Sequence, residues 1–152
     1  MPFAYHKDPD KTRTAQHPEH PNWSTCGDIG HLDAEGYLYL TDRKAFTIIS
    51  GGVNIYPQEI EDCLVLHPDV FDVAVIGIPD DEYGESVLAV VQPATGVDPG
   101  PETAERLLAH VRSRLAGYKV PRRVDFTDSL PRTPTGKLVK GRVKQRYVAA
   151  NQ

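Results

Sequence analysis

The chain offers few side chains that could do chemistry. Lys137 ends the polar turn Pro131-Arg132-Thr133-Pro134-Thr135-Gly136-Lys137. Glycine lets backbone come close to a ligand, and a lysine beside it presents a point charge to phosphate. The spacing is not that of a phosphate-binding loop, because the paired glycines before Gly-Lys-Ser/Thr are absent and Leu138 follows. On composition alone Lys137 is a solvated turn lysine. Gly51 and Gly52 mark a second place where backbone must bend or closely approach something. Asp28, beside Gly27, and Arg43, at a strand end, read by themselves as surface or capping residues.

Other chemistries find less support. His17, His20 and Cys26 lack a fourth ligand at zinc spacing, so no metal set is read. His31, His67 and His110 stand apart and read as surface or helix-end residues. No Ser/His/Asp grouping follows from the order, which leaves a hydrolase with its own triad unsupported.

Several elements must position these groups. Residues 1–24, rich in His, Pro and Asp, read as an irregular lead-in. Short extended pieces on either side of Asp33-Ala34-Glu35-Gly36 predict a β-hairpin. A further apolar run, Phe46 to Ile49, leads to the two glycines. A helix is expected from Pro57, with Ile60, Cys63, Leu64 and His67 on one face, acidic residues Glu59, Glu61 and Asp62 at its positive end, and Pro68 beyond it. Cys63 is then a small core residue. Val70–Ile78 and Val87–Val91 predict buried strands around a polar turn, Pro79–Gly84. Leu107, Leu108, Val111 and Leu115 predict a second helix capped by Gly117. A short strand over 120–126 and a last helix carrying Val139, Val143 and Tyr147 complete an α+β fold: a small mixed sheet with about three helices, preceded by a β-hairpin lead-in.

Composition sets the frame. The 152 residues are 39% hydrophobic and 25% charged, inside the globular range. No apolar run approaches the roughly 20 residues of a membrane helix, and the first residues lack signal-peptide order. Two cysteines make no disulfide framework, which predicts a reducing, cytoplasmic setting. The net charge of −4 hides a division: residues 1–111 hold 6 Lys+Arg against 19 Asp+Glu, and residues 112–146 hold 11 against 2. From charge alone the plain reading is a solvated basic face balancing an acidic one, with a polyphosphate ligand or nucleic acid as alternatives. Only Tyr118, Phe126 and Tyr147 fall in the basic stretch, so no stacking platform for nucleic acid is evident.

Taken together, four segments resemble one family: Gly27-Asp28-Ile29-Gly30, Gly36-Tyr37-Leu38 through Thr41-Asp42-Arg43-Lys44, Ile49 through Glu61, and Pro131 through Lys137. Their order and spacing resemble the C-terminal part of adenylate-forming enzymes, which include acyl-CoA synthetases, luciferases and peptide-synthetase adenylation domains. The likeness runs from about Tyr5 to Tyr147, and the wording is most similar to bacterial AMP-forming fatty acyl-CoA ligases.

The resemblance implies a two-step reaction. A fatty acid carboxylate attacks ATP, with Mg²⁺, to give acyl-adenylate and pyrophosphate; the thiol of CoA then displaces AMP. By the same resemblance Asp28 hydrogen-bonds ribose hydroxyls, Arg43 contacts the nucleotide near a hinge at Lys44 and Ala45, and Lys137 bridges the acyl carboxylate and the α-phosphate. Gly51 and Gly52 would approach the active site in the thioester step, leaving room for pantetheine. Lys119, Arg122, Arg123 and Lys140 would suit CoA phosphates or simple solvation. Acetylation of Lys137 would remove its charge.

Two departures stand out. Ala45 takes the place of a usual Asp or Lys pivot, with Phe46 where an acidic residue is common. Thr25-Cys26-Gly27-Asp28 has one residue more than the usual Thr-Gly-Asp. The resemblance assigns residues 1–43 to the tail of a missing N-terminal adenylation domain and the hinge, and 44–152 to a mobile lid. It implies a chain inactive alone. The alternatives are a non-catalytic module that binds CoA, nucleotide or a protein, and a ligase using a carrier protein instead of CoA.

Overall fold

The computed structural model describes residues 3–20 and 22–149. The chain forms two compact units, Met1–Ala45 and Phe46–Gln152.

The first unit opens with α1 (Pro9–Ala15), where an irregular lead-in was expected. Asp8 accepts the N–H of Lys11 at 2.9 Å as an N-cap, and Pro9 occupies the first turn. Seven residues are too few for a helical period to show in sequence. The expected hairpin follows as β1 (Asp28–Leu32) and β2 (Leu38–Arg43), paired antiparallel. The Asp33 carboxylate holds the turn by accepting the N–H groups of Glu35 and Tyr37, each at 2.9 Å. A bulge at Ile29/Gly30 requires glycine: a Cβ on Gly30 would lie 2.3 Å from the Tyr39 carbonyl oxygen. Leu32, Leu38 and Leu40 are all exposed.

The second unit is a five-stranded sheet. Its strands are β3 (Ile48–Ser50), β4 (Val53–Ile55), β5 (Val70–Asp80), β6 (Gly84–Pro93) and β7 (Arg123–Phe126). The order is β4-β3-β6-β5, with β7 parallel to β6, so the sheet is mixed as expected. Its helices are α2 (Pro57–Val65), α3 (Pro101–Arg112) and α4 (Lys140–Ala149).

Alternate residues of β5 and β6 feed two cores. Val73, Val75, Ala89 and Val91 pack with Ile60 and Leu64 of α2 and Leu107 and Val111 of α3. Ala74, Ile76, Leu88 and Val90 pack with Val143 of α4 and Leu130. Covering both faces explains why these strands read as unbroken apolar runs rather than alternating ones.

Three further expectations need correction. The apolar run Phe46–Ile49 is one arm of a β3–β4 hairpin, whose strands of three residues each are too short to show a period in sequence. β5 continues through Pro79 to Asp80, because an edge strand tolerates a missing N–H. α3 ends at Arg112, well before Gly117, which instead starts a 3-10 turn over Gly117–Lys119. Ser113 Oγ and Arg114 both donate to the His110 carbonyl and close the helix without a glycine.

Candidate functional site

In the first unit Asp28 and Arg43 face each other across β1 and β2. Arg43 Nε lies 3.1 Å from Asp28 Oδ1, and both side chains are more than a third exposed. Such a pair is worth about 0–1 kcal/mol and leaves both groups accessible. The two residues that sequence reasoning named separately are thus brought together. Lys44 N–H donates to the Gly27 carbonyl at 2.8 Å and closes the ladder. Lys44 and Ala45 fall in one 3-10 turn, Lys44–Phe46, where the two units divide.

In the second unit Gly51 and Gly52 form the two-residue turn between β3 and β4, with φ of +57° and +79°. Both angles lie in the left-handed region that a tight hairpin turn demands. Gly51 N–H donates to the Tyr83 carbonyl at 2.9 Å, tying this turn to the one between β5 and β6. Asp80 shapes that second turn by accepting the N–H groups of Tyr83 and Glu82 at 3.0 and 3.1 Å. The Tyr83 amide above all holds the Asp80 carboxyl below its ordinary pKa. The Arg122 guanidinium sits 4.0 Å from the centre of the Tyr83 ring. A hollow of about 330 Å³ opens here, lined by Ser50, Gly51, Tyr83, Gly117, Tyr118 and Arg122 among others.

Lys137 belongs to a different end of the sheet. Its turn is closed by Thr133 N–H to the Lys137 carbonyl at 2.8 Å and Gly136 N–H to the Thr133 carbonyl at 2.9 Å. Lys137 N–H also donates to Thr133 Oγ1 at 3.0 Å, and Gly136 has φ +85°. Arg132 anchors the turn: it reaches Asp72 Oδ2 at 2.6 and 3.0 Å and donates to the Gly136 carbonyl. The Lys137 side chain is exposed, with no carboxylate partner among the described residues. The eight residue steps of β5 from Asp72 to Asp80 rise about 26 Å. The Lys137 turn is therefore tied to one end of the sheet and the glycine turn to the other.

Two connections were missed in sequence. Arg132–Asp72 spans 60 residues and has no local signature. Glu61 was read as a dipole partner of its helix, yet it is buried: it accepts Val75 N–H at 2.7 Å and meets Lys140 Nζ at 3.0 Å. The available signal is helical spacing, since Glu61 stands four residues after Pro57 and three before Leu64, both buried. The basic stretch is also less free than its charge suggests. Lys119 binds Glu59 at 2.6 Å, Arg123 binds Asp125 at 2.8 Å and Lys144 binds Glu85 at 2.7 Å. The hydrogen bond to Glu59 raises the pKa of Lys119.

Comparison with known proteins gives this geometry a family. The model of the AMP-binding enzyme C-terminal domain matches residues 59–137. A feruloyl-CoA synthase of Amycolatopsis is 49% identical over 127 residues, covering 82% of this chain and 25% of the relative. A long-chain-fatty-acid–CoA ligase of Mycobacterium tuberculosis is 43% identical over 127 residues, covering 84% and 24%. Among solved structures, a Mycobacterium tuberculosis fatty acyl CoA synthetase superposes with TM-score 0.70 at 41% identity, covering 96% of this chain and 28% of that one. The amide bond synthetase of Marinactinospora thermotolerans does so with TM-score 0.78 at 42% identity, covering 95% and 28%. The chain spans about a quarter of the length of the curated relatives it matches. With a matching domain model over residues 59–137 and the same architecture in solved relatives, the chain belongs to the AMP-binding enzyme C-terminal domain family.

Proposed function

We propose that this chain is the mobile C-terminal lid of an AMP-forming fatty acid–CoA ligase, which converts ATP, a fatty acid and CoA to acyl-CoA, AMP and pyrophosphate through an acyl-adenylate. The observation that carries this reading is the separation of the two turns. A lysine and a glycine pair held at opposite ends of one sheet cannot address the same reacting atoms in one pose. A body that turns about Lys44 and Ala45 could present each end in its own step.

In the first step one carboxylate oxygen attacks the α-phosphorus and pyrophosphate leaves. Lys137, exposed and without a carboxylate partner of its own among the described residues, supplies positive charge as the anionic transition state forms. A comparable lost donor costs roughly 2.7–4 kcal/mol. Asp28 accepts from the ribose hydroxyls, and Arg43, 3.1 Å from it, contacts the nucleotide. In the second step the CoA thiol attacks the acyl carbonyl and AMP leaves. Gly51 and Gly52, with no side chains, leave a passage for the pantetheine arm. Mg²⁺ is expected with ATP. No group of three His, Cys, Asp or Glu among the described residues could hold it.

The partner is an N-terminal adenylation domain. A two-stranded hairpin is marginal alone, and the exposed Leu32, Leu38 and Leu40 are suited to burial in a larger body. The local pairing of the basic residues weakens the nucleic-acid alternative, and ligase relatives disfavour a non-catalytic module. The relatives include ligases for ferulate and indoleacetate as well as long-chain acids, so a hydrophobic carboxylic acid is the shared substrate class. No helix of the described residues is long and apolar enough to cross a membrane, which fits a cytoplasmic enzyme.

The test is pyrophosphate release from ATP and a panel of fatty acids. The chain alone should release none, and adding an adenylation domain in trans or in fusion should restore release. Release by the chain alone, lost in Lys137→Ala, would overturn the lid reading.

A further inference from the structure

Lys140 is the first residue of α4 and lies three residues beyond Lys137. Lysine rarely leaves water, yet only 8% of this residue's surface is exposed. Its ammonium meets Glu61 Oε2 at 3.0 Å, and Glu61, equally buried, uses its other oxygen to accept Val75 N–H on the outer edge of β5. The same ammonium stands 5.3 Å from the centre of the Phe46 ring. Phe46 directly follows Ala45, at the division between the units. Lys140 therefore joins three segments: the end of the Lys137 turn, helix α2, and the first residue after the hinge.

An ion pair buried this far is poor evidence of a stability role, because desolvation offsets much of its attraction. A fixed register is the better reason to keep one. The connection from Lys140 back to Lys137 is short and stiff. Val139 N–H donates to the Pro131 carbonyl at 2.8 Å, and Arg132 bridges Leu138. Little slack remains between the buried ammonium and the exposed one. A further pair, Lys144 with Glu85 at 2.7 Å, lies one turn along α4 and keeps the helix from sliding.

We infer that Lys140 is a positioning residue for adenylation: held between Glu61 and the Phe46 ring, it sets where Lys137 stands relative to the hinge. Phe46 then has a function at a position where the family commonly carries an acid. This rests on the proposed role of Lys137.

The test uses the ligase with its adenylation domain present and follows two readouts. One is acyl-adenylate formation; the other is thioester formation from preformed acyl-adenylate and CoA. Lys140→Met should slow the first about 100-fold, as a misplacement near 1 Å does, and leave the second within about threefold. Lys140→Arg keeps the charge and should restore adenylation to within about threefold of the parent. Because Lys140→Met strands a buried carboxylate and risks misfolding, Glu61→Gln/Lys140→Met removes both charges while keeping an acceptor for Val75. It should show the same step-selective loss. Equal slowing of both steps, or no slowing of either, would overturn the inference. Lys137→Ala run beside these variants separates the two claims: if it leaves adenylation intact, the proposed function fails, whereas loss there with none at Lys140 sinks only the positioning role.

Discussion

Alanine at Gly51 and at Gly52 should destabilise the second unit by different amounts, for reasons that can be separated. Both glycines have positive φ, where an L side chain crowds its own backbone at about 1–2 kcal/mol. At Gly52 nothing lies within 4 Å of an added Cβ, so Gly52→Ala should cost that backbone penalty alone. At Gly51 the Cβ would stand 3.3 Å from Tyr83 Cδ1, tighter than an ordinary contact. That ring is held by the Arg122 guanidinium at 4.0 Å and by the Gly51 N–H to Tyr83 carbonyl bond at 2.9 Å. Pushing it off its rotamer adds about 0.5–1.5 kcal/mol. Gly51→Ala should therefore cost about 1.5–3.5 kcal/mol and Gly52→Ala about 1–2. At roughly 4 °C per kcal/mol for a unit this size, the two variants should melt several degrees apart. Urea denaturation with both, and with Gly51→Ala in a Tyr83→Ser background, measures the terms. Removing the ring should bring the two alanine penalties together. Costs below 0.5 kcal/mol at both sites would refute the left-handed turn. An undiminished Gly51→Ala penalty without the ring would refute the packing argument.

Two further outcomes follow from burial. Cys26 is exposed and Cys63 is buried, with desolvation pushing the Cys63 thiol pKa up, so a thiol reagent on the native chain should label Cys26 quickly and Cys63 only after denaturant is added. His67 has its pKa pushed below 6.5, first by burial and further by the neighbouring His110 and Arg106, against the pull of Asp69. The folded state thus favours the neutral ring. Its contribution is fully present above pH 6.5 and is lost as pH falls through the lower folded value, so the urea midpoint should drop on acidification from pH 7.5 to 5 and drop less in His67→Gln.

What was legible in the sequence was whatever periodicity or punctuation records. The runs Val70–Ile78 and Val87–Val91 announced buried strands, and Pro57 announced α2. β3, β4 and α1 were not legible as elements, because three to seven residues complete too little of a period. For the site, the glycine turns and Lys137 stood out by residue type. Their placement at opposite ends of the sheet did not, since it follows from the length of β5 and from Arg132 reaching Asp72. The burial of Glu61 and Lys140 was hidden for a related reason: two residues 79 positions apart become partners only once α4 lies against the sheet.

The central claim is that opposite ends of one sheet serve successive steps, and the most direct measurement is the rate of each half-reaction in two variants of the ligase with its adenylation domain present. Lys137→Ala should slow acyl-adenylate formation about 10²–10³-fold and spare thioester formation from preformed acyl-adenylate. Gly52→Ala, whose new methyl has no atom of the described residues within 4 Å, should do the reverse. If either substitution slows both steps by the same factor, the division of labour between the two ends is wrong.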